Sequence, residues 1–272
     1  MVLFPCAKIN LGLQVLRRRA DGFHDIRSVM VPIPLCDVLE AVIDPQLAPG
    51  EIVFDRTGIA VPGDPAQDLC LRAINVLGEA IALPGIRAHL HKVIPAGAGL
   101  GGGSSDAAHM LLLLNDLLCA GMRDRLPAMA AALGSDVPFF LDRRPQLAEG
   151  RGELLSPIEV DLKGRWLVLV NPGIHVPTAE VYKGMRLSDQ APDLLSALDG
   201  AIEKWNGVVR NDMEEYVFGR YPQIASIKEK LIAHGAAFAS MSGSGSSVFG
   251  IFTSRPQAIG WPQEYRSWTL EL

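Results

Sequence analysis

The chain has 272 residues, of which 49% are hydrophobic and 20% charged, and its 25 basic and 30 acidic side chains give a net charge of −5. That composition is typical of a folded globular protein, and the length suits one large domain or two smaller ones. A mildly acidic chain without a basic run lacks the electrostatic signature of proteins that bind nucleic acid or anionic membranes. We therefore expect neither partner, and any anion that the protein binds must be held by a local site.

The four cysteines of the chain are scattered, without the spacing of a metal site or the density of a disulfide framework. They are Cys6, Cys36, Cys70 and Cys119. We interpret them as buried free thiols of a reducing compartment. A short apolar stretch precedes Lys8, the reverse of the order in a secretory signal, and no apolar run approaches the roughly 18 residues that span a bilayer. The sequence thus predicts a cytoplasmic protein. It does not determine the oligomeric state, and we expect either a monomer or a homodimer.

Strand-like and helix-like segments alternate in the first half of the chain. β-branched and apolar residues predict the strands, and apolar residues on one face predict the helices. Strands are predicted over residues 9–16, 26–33, 38–43, 52–54 and 86–94, and a helix over residues 68–80. A second helix follows a glycine-rich loop, with Ala107, Leu111, Leu114 and Leu118 at helical spacing. This helix is apolar on most sides, which predicts that it is buried.

The composition becomes polar and glycine-bearing around residues 142–165, where we place a domain boundary. Beyond it, short strands again mix with helices. Strands are predicted over residues 166–170, 236–241 and 247–252, and a helix over residues 222–233. The sequence therefore predicts an α+β protein of two domains, the first covering residues 1–158 and the second residues 159–272.

The strongest local signal is the glycine loop that follows Pro95. Five of the seven residues 97–103 are glycine, which lets the backbone adopt positive φ and approach a ligand closely. Successive N–H groups then point at one place, at the positive end of the following helix, and can bind phosphate without a basic patch. Ser104 and Ser105 add hydroxyl donors, and one of them can also cap the helix. The loop therefore predicts a phosphate-binding site.

Other interpretations of the loop are weaker. Gly97, Gly99 and Gly102 match the G-x-G-x-x-G pattern of dinucleotide-binding proteins. That site also needs an acidic residue after a second strand, about 20 residues further on, whereas residues 115–125 are still helix and turn. The lysine of a Walker loop and the H-R-D and D-F-G signatures of protein kinases are absent from the sequence. A loop that only packs a helix tightly against a sheet remains as the structural alternative.

Three segments, near the N-terminus, in the middle and near the C-terminus, carry a resemblance to a known family. They are residues 7–11 (AKINL), residues 95–105 (PAGAGLGGGSS) and residues 241–247 (MSGSGSS). Together they resemble the GHMP kinase superfamily, named for galacto-, homoserine, mevalonate and phosphomevalonate kinases. Further segments resemble the branch that phosphorylates a cytidine-diphosphate-linked sugar alcohol, methylerythritol. These cover residues 19–24, 134–139, 148–153, 172–173, 177–182 and 211–212, in the family's order.

The resemblance implies an N-terminal domain like that of ribosomal protein S5 and a ferredoxin-like C-terminal domain. It also implies ATP as the phosphoryl donor, Mg²⁺ to neutralise the polyphosphate charge, and the cytidine-diphosphate-linked methylerythritol as small-molecule substrate. No side chain identifies itself as a magnesium ligand. We expect ATP to be bound by Lys92, Pro95, Gly97, Gly99, Gly101, Gly102, Gly103, Ser104 and Ser105.

Asp136 and Lys8 are the expected catalytic residues. An aspartate before Val-Pro-Phe-Phe is ordinarily a turn or cap residue, but the resemblance implies a base that orients the acceptor hydroxyl and takes its proton late in phosphoryl transfer. Lys8 would keep that carboxylate ionised and stabilise the developing alkoxide. The alternative for Lys8, a solvated surface lysine, is opposed by the apolar residues around it in the sequence.

Phe23, His24 and Tyr182 match the cytosine-recognition positions of the family. The two aromatic rings would stack on either face of the base, and His24 would hydrogen-bond its edge. Asn10 and Thr178 would also lie at the substrate. The alternative is that Phe23 and Tyr182 are ordinary core residues.

Four residues depart from the family's pattern. Ala98 stands in place of a glycine, Phe23 in place of a common tyrosine, and Asp106 in place of a frequent asparagine. Asp68 replaces the asparagine expected near the adenine, so we assign it no contact with the nucleotide. Three other functions compete with the predicted one: another superfamily kinase acting on mevalonate, homoserine or a sugar, a nucleotide-binding module without catalysis, and a dinucleotide-dependent reductase.

Overall fold

The computed structural model describes residues 1–64, 67–187 and 193–272. The strands are β1 (Val2–Leu3), β2 (Cys6–Arg18), β3 (His24–Cys36), β4 (Val38–Ile43), β5 (Ile52–Gly58), β6 (Ile86–Lys92), β7 (Gln146–Glu149), β8 (Leu154–Pro157), β9 (Trp166–Asn171), β10 (Phe238–Met241), β11 (Val248–Phe252) and β12 (Arg266–Glu271). The helices are α1 (Leu69–Gly78), α2 (Gly102–Leu117), α3 (Leu126–Leu133), α4 (Thr178–Gly184), α5 (Leu194–Leu198), α6 (Glu214–Arg220) and α7 (Pro222–Ala233). This mixture confirms the predicted α+β class.

The structure contains every strand and helix that the sequence predicts, with ends shifted by a few residues. β3 continues through Pro32 and Pro34, which lie beyond residues 28–30, the part of the strand that pairs with β7. The elements absent from the prediction are mostly short. β7 and β8, for example, have four residues each and lie in the polar segment where the sequence predicts a domain boundary.

The first of two compact units comprises Met1–Ala7, Leu35–Ala96 and Gly101–Arg143. Its sheet has the order β1-β4-β6-β5, in which β5 and β6 run parallel and the other described pairs run antiparallel. α1 packs against α2, and Asp68 caps α1 by accepting a hydrogen bond from the N–H of Cys70 at 2.8 Å. As predicted, α2 is buried along most of its length. The glycine loop leads from the end of β6 into this buried helix.

The second unit comprises Lys8–Pro34, Gly97–Leu100 and Arg144–Leu272. One of its sheets has the order β2-β3-β7-β8, and the other is the antiparallel sheet β10-β11-β9-β12. α7 packs on β10 and β11 through an apolar stripe that includes Ile227 and Leu231. Full burial of such side chains contributes roughly 1.5–3 kcal/mol each. This core supports the strand ends and loops that carry several of the predicted site residues.

Each unit is assembled from several stretches of the chain, so neither unit is one continuous segment. The predicted boundary between residues 158 and 159 divides the chain at a single point. It therefore stays a prediction about continuous domains.

All four cysteines are free. Cys6 and Cys70 are buried, and burial raises the pKa of both thiols. Cys36 is half-buried, whereas Cys119 is exposed, so the expectation of burial is wrong for Cys119, which lies in the turn after α2. Among the described helices, none combines the length and the apolar character that crossing a membrane requires.

Candidate active site

The glycine loop adopts the backbone geometry that its composition predicts. Gly97, Gly99 and Gly101 have φ angles of +62°, +77° and +70°, which favour glycine. α2 then begins at Gly102 and runs for 16 residues. The first N–H groups of such a helix lack partners within the helix and carry the positive end of its dipole. The start of α2 can therefore accept a phosphate group.

The two serines of the loop do not cap the helix. Gly101 is the N-cap residue and makes no side-chain hydrogen bond, while Ser104 and Ser105 already lie in the first turn. Ser105 is fully buried, and its Oγ lies 3.4 Å from Nδ1 of His109, one turn further along. Ser104 is half-buried. The expectation that a serine caps α2 is therefore wrong, because the left-handed backbone of Gly101 begins the helix instead.

Within the second unit, the loop packs against the serine- and glycine-rich segment 241–247. The Oγ of Ser242 donates to the carbonyl oxygen of Gly99 at 2.8 Å, and the N–H of Ser247 donates to the carbonyl oxygen of Ala98 at 3.2 Å. A Cβ on Gly99 would lie 1.9 Å from the carbonyl oxygen of Ser242. Only glycine fits at this position. Two of the segments that carry the family resemblance therefore lie in direct contact, residues 95–105 with residues 241–247.

Lys8 is buried beside the same loop. Its side chain is only 4% exposed, and Nζ donates to the carbonyl oxygen of Gly99 at 2.9 Å and to Oδ1 of Asn10 at 2.6 Å. Nδ2 of Asn10 donates to Oγ of Ser28 at 2.8 Å, and Ser28 donates to the carbonyl oxygen of Gly12 at 2.7 Å. Lys8 is therefore not a solvated surface lysine, and Asn10 orients its ammonium group.

Asp136 follows α3, in the turn that leads into the short 3₁₀ helix Pro138–Leu141. It is half-buried, while the neighbouring Val137 and Phe139 are fully buried. Their burial fixes the backbone on which the carboxylate stands. Asp136 belongs to the first unit and Lys8 to the second, and their cooperation stays a prediction.

Lys92 lies in a buried cluster of charged side chains at the end of β6. The side chain is only 4% exposed, and Nζ donates to Oδ2 of Asp37 and, at 2.6 Å, to Oδ2 of Asp106. Oδ1 of Asp37 accepts hydrogen bonds from the N–H groups of Val93 and Ile94 at 2.5 and 2.9 Å. The cluster therefore joins the end of β6, the link between β3 and β4, and the first turns of α2.

The two carboxyl groups of this cluster differ in their surroundings. Asp37 receives three N–H donors, an arrangement that suits a carboxylate. Oδ1 of Asp106 is buried and has no hydrogen-bond partner. Burial raises the pKa of Asp106 well above its usual range; the positive charge of Lys92 opposes this rise, and the negative charge of Asp37 adds to it. Although burial opposes the positive charge of Lys92, the neighbouring carboxyl groups raise its pKa. We infer a neutral cluster of one ammonium, one carboxylate and one protonated acid.

A cleft of about 190 Å³ in the first unit is lined by Lys92, Gly103 and Asp106, and by the ion pair of Arg56 with Asp68. Nη1 of Arg56 donates to Oδ2 of Asp68 at 2.8 Å, while Oδ1 of Asp68 caps α1. Both carboxylate oxygens thus already have partners. This explains why an aspartate can replace the family's asparagine here: it stabilises the wall of the cleft.

The residues predicted to recognise cytosine lie in the second unit. The rings of His24 and Tyr182 are stacked, with centroids 4.8 Å apart and an interplanar angle of 18°. Phe23 is 54% exposed, which opposes the core interpretation, and the guanidinium of Arg151 lies 5.1 Å from its ring centroid. Oγ1 of Thr178 lies 2.7 Å from Oγ of Ser244. The partner of Tyr182 is therefore His24 rather than Phe23.

Several residues that orient the site were not found from the sequence. Asp37 and Ser28 act through contacts with distant residues, and no local pattern distinguishes them. Ser242 lies in the segment 241–247 that carries the resemblance, but its contact with Gly99 required the structure. Asn211 donates to the carbonyl oxygens of Met241 and Gly243 at 2.9 and 2.8 Å. It fell within a segment quoted for the resemblance, but its part in holding the segment 241–247 required the structure.

We expect Asp37→Asn to lower the free energy of unfolding by about 3–5 kcal/mol, because Lys92 would lose its charged partner in a buried position. At pH 4, Asp106→Asn should change it by less than about 1 kcal/mol, because at that pH little free energy is needed to protonate the carboxyl group on folding. Folding raises the pKa of Asp106 and so takes up a proton, which means that the contribution of Asp106 to wild-type stability falls as pH rises above about 4. Asp106→Asn should remove that decline. Urea denaturation across this pH range measures both effects, and equal losses in the two variants would contradict the assigned charges.

We expect Gly101→Val to abolish ATP binding, because valine opposes the positive φ and fills space beside the phosphate position. Gly121→Val is the matched control, since Gly121 has a φ of +63° and open space around its Cβ position. Calorimetric titration with ATP and circular dichroism should show a folded Gly101 variant without affinity and a control that binds. Unfolding of the Gly101 variant alone would favour the packing interpretation of the loop.

Comparison with known proteins covers both halves of the chain. The model of the GHMP kinases N terminal domain matches residues 68–143, and that of GHMP kinases C terminal matches residues 194–260. The chain is 45% identical over 263 residues to the 4-diphosphocytidyl-2-C-methyl-D-erythritol kinase of Azobacteroides pseudotrichonymphae, with 96% of each chain covered. It is 43% identical over 265 residues to the kinase of the same name from Cytophaga hutchinsonii, with 95% of each covered.

A solved structure of a 4-(cytidine 5'-diphospho)-2C-methyl-D-erythritol kinase matches this structure with a TM-score of 0.82 and 33% sequence identity. The match covers 100% of this chain and 99% of the other. These matches confirm the predicted two-domain α+β architecture, and they show that the chain belongs to the GHMP kinase family.

Proposed function

We propose that the protein transfers the γ-phosphoryl group of ATP to the 2-hydroxyl of 4-diphosphocytidyl-2-C-methyl-D-erythritol, a step of the non-mevalonate isoprenoid pathway. The observation that carries the proposal is the full-length similarity to kinases of that name. The glycine loop with positive φ and the buried ammonium of Lys8 supply the parts that such a transfer needs. Family membership opposes the alternative of a dinucleotide-dependent reductase.

The phosphates of ATP are expected at the start of α2. Backbone N–H groups that are fixed by the left-handed glycines can bind the β- and γ-phosphate oxygens. Lys92 lines the cleft beside Gly103, but its ammonium is already shared by Asp37 and Asp106. We therefore assign Lys92 mainly to shaping the phosphate site, since binding phosphate directly would remove it from a carboxylate.

Magnesium belongs to the donor substrate, MgATP, in this proposal. Among the residues that the structure describes, no group of three or more histidine, cysteine, aspartate and glutamate side chains could hold a metal ion. Mg²⁺ commonly keeps several waters and binds through substrate phosphates with few protein ligands. The donor set of the chain fits an ion that arrives with the nucleotide, where it would neutralise charge on the transferred group.

In the catalytic step, Asp136 accepts the proton of the 2-hydroxyl while the oxygen of that hydroxyl bonds to the γ-phosphorus and ADP leaves. Lys8 offsets the negative charge that develops on the attacking oxygen. The contacts of its Nζ with Gly99 and Asn10 hold the ammonium in one place, so little reorganisation is needed during the reaction.

We assign cytosine recognition to three side chains: the rings of Tyr182 and Phe23 stack on the base, and His24 hydrogen-bonds its edge. His24 and Tyr182 stand too close for a third ring to fit between them. In this proposal, a base takes the place of His24 against Tyr182, and the imidazole then meets the edge of the base. Burial, followed by the charge of Arg18, lowers the pKa of His24, so the imidazole is neutral at pH 7 and offers both a donor and an acceptor. The exposed ring of Phe23 is available for the opposite face.

We expect Asp136→Asn to lower kcat by about 10²- to 10⁴-fold and to leave ATP binding intact, because the amide keeps the shape but cannot accept a proton. Lys8→Ala should also lower kcat severely, since the developing alkoxide loses its counter-charge. A coupled ADP-release assay with the cytidine substrate measures both.

Asp124→Asn, the same chemical change at an exposed aspartate of the first unit, serves as the control and should be silent. A loss of less than about threefold in Asp136→Asn would remove that residue from the mechanism. Absence of ADP release by the wild type would leave a nucleotide-binding module without catalysis.

We expect Phe23→Ala or Tyr182→Ala to raise the KM for the cytidine substrate by about 5- to 150-fold, because stacking contributes roughly 1–3 kcal/mol per base. The KM for ATP should not change. His24→Ala should weaken the preference for the cytidine-linked over the uridine-linked substrate. A side chain that hydrogen-bonds the edge of one base discriminates strongly against a base with different donors and acceptors. Steady-state kinetics with the two substrates checks these outcomes.

Phe4→Ala is the matched control for Phe23→Ala, since the two rings are 53% and 54% exposed. The decisive comparison uses wild-type enzyme alone. Equal turnover of methylerythritol phosphate and its cytidine-linked form would mean that no cytosine is recognised, and the protein would then be a more general superfamily kinase.

A further inference from the structure

The hairpin between β2 and β3 carries more positive than negative charge. Its three consecutive arginines occupy positions 17–19, and its two carboxylates are Asp21 and Asp25. Arg17 and Arg19 both pair with Asp25, at 2.5 and 2.8 Å, and Arg19 also pairs with Asp21 at 3.0 Å. Over the described ranges, no carboxylate pairs with Arg18. The single uncompensated charge of the hairpin is therefore that of Arg18.

The closure of the hairpin fixes where the side chain of Arg18 emerges. The N–H of Arg19 donates to the carbonyl oxygen of Phe23 at 2.8 Å, and the N–H of Gly22 donates to the carbonyl oxygen of Arg19 at 3.2 Å. The next pair of the hairpin lies one residue earlier in β2 and one residue later in β3, and it places Arg18 opposite His24. Residues opposite each other in such a pair project from the same face, with Cβ atoms about 4.5–5.5 Å apart.

The two faces of the hairpin consequently have different roles. Arg17 and Asp25 form the next opposite pair and project from the other face, where their ion pair is found. Arg18 shares its face with His24, and the ring of His24 stacks on Tyr182. The effect of Arg18 on the pKa of His24 is in agreement with this proximity. An unpaired guanidinium thus lies beside the rings assigned to cytosine.

We propose that Arg18 binds the diphosphate group of the substrate, an inference that rests on the proposed function. A pyrimidine nucleoside diphosphate carries its phosphates one ribose away from the base, within the reach of an arginine beside the base-binding rings. A planar guanidinium binds two phosphate oxygens at once. Arg18 can do so without breaking an ion pair, whereas Arg17 and Arg19 would first have to leave Asp25.

The test compares calorimetric binding of cytidine and cytidine 5'-diphosphate, with the nucleotide loop saturated by a non-hydrolysable ATP analogue. Wild-type protein should bind the diphosphate more tightly than the nucleoside, and added salt should weaken only the former. Arg18→Gln should lower the affinity for the diphosphate roughly tenfold and leave the affinity for cytidine unchanged. A tenfold loss is at the low end of what a hydrogen bond to a charged group contributes. Arg18→Lys should recover part of the loss.

Arg17→Gln is the matched control, because it removes the same charge one residue away on the opposite face. Equal losses in the Arg17 and Arg18 variants, or equal wild-type affinities for cytidine and its diphosphate, would overturn the assignment of Arg18. Wild-type protein that binds neither ligand and does not turn over the cytidine substrate would instead overturn the proposed function.

Discussion

The burial of one ammonium group sets the requirements for much of the site. Lys8 is almost entirely removed from water, and a charge in that position must be given fixed acceptors. The carbonyl oxygen of Gly99 and the amide oxygen of Asn10 meet that need. The carbonyl of Gly99 can do so only because its loop is turned by positive φ angles and supported by Ser242. Loop conformation, lysine orientation and the position of the segment 241–247 are thus one connected arrangement.

An acidic protein that binds a polyphosphate must concentrate positive potential without a basic surface. Oriented N–H groups at the start of α2 can supply such potential, because they carry the positive end of the helix dipole and have little freedom to move. The cluster around Lys92 adds no net charge if Asp106 is protonated. Lys92 and Asp106 line the cleft in the first unit.

Local features were predictable from the sequence, because they depend on neighbours along the chain. The positive φ angles follow from the spacing of Gly97, Gly99 and Gly101, and the burial of α2 follows from its apolar periodicity. The contacts that orient the site were not predictable in this way. Lys92 lies near the end of a predicted strand, and only the structure places Asp37, 55 residues away, beside its ammonium group. The stack of His24 on Tyr182 likewise depends on packing that no sequence spacing encodes.

The contact of Gly99 with Ser242 has a consequence for how such sequences can change over generations. The two residues lie 143 positions apart, yet any side chain at position 99 would collide with the backbone at position 242. Because the obstruction is a carbonyl group, no exchange of side chain at position 242 can relieve it. A descendant that replaced Gly99 would first need a different path for the whole segment 241–247. The loop and this distant segment are therefore inherited together. Recombinants of homologues should fold poorly when a crossover takes the loop from one parent and the segment 241–247 from the other.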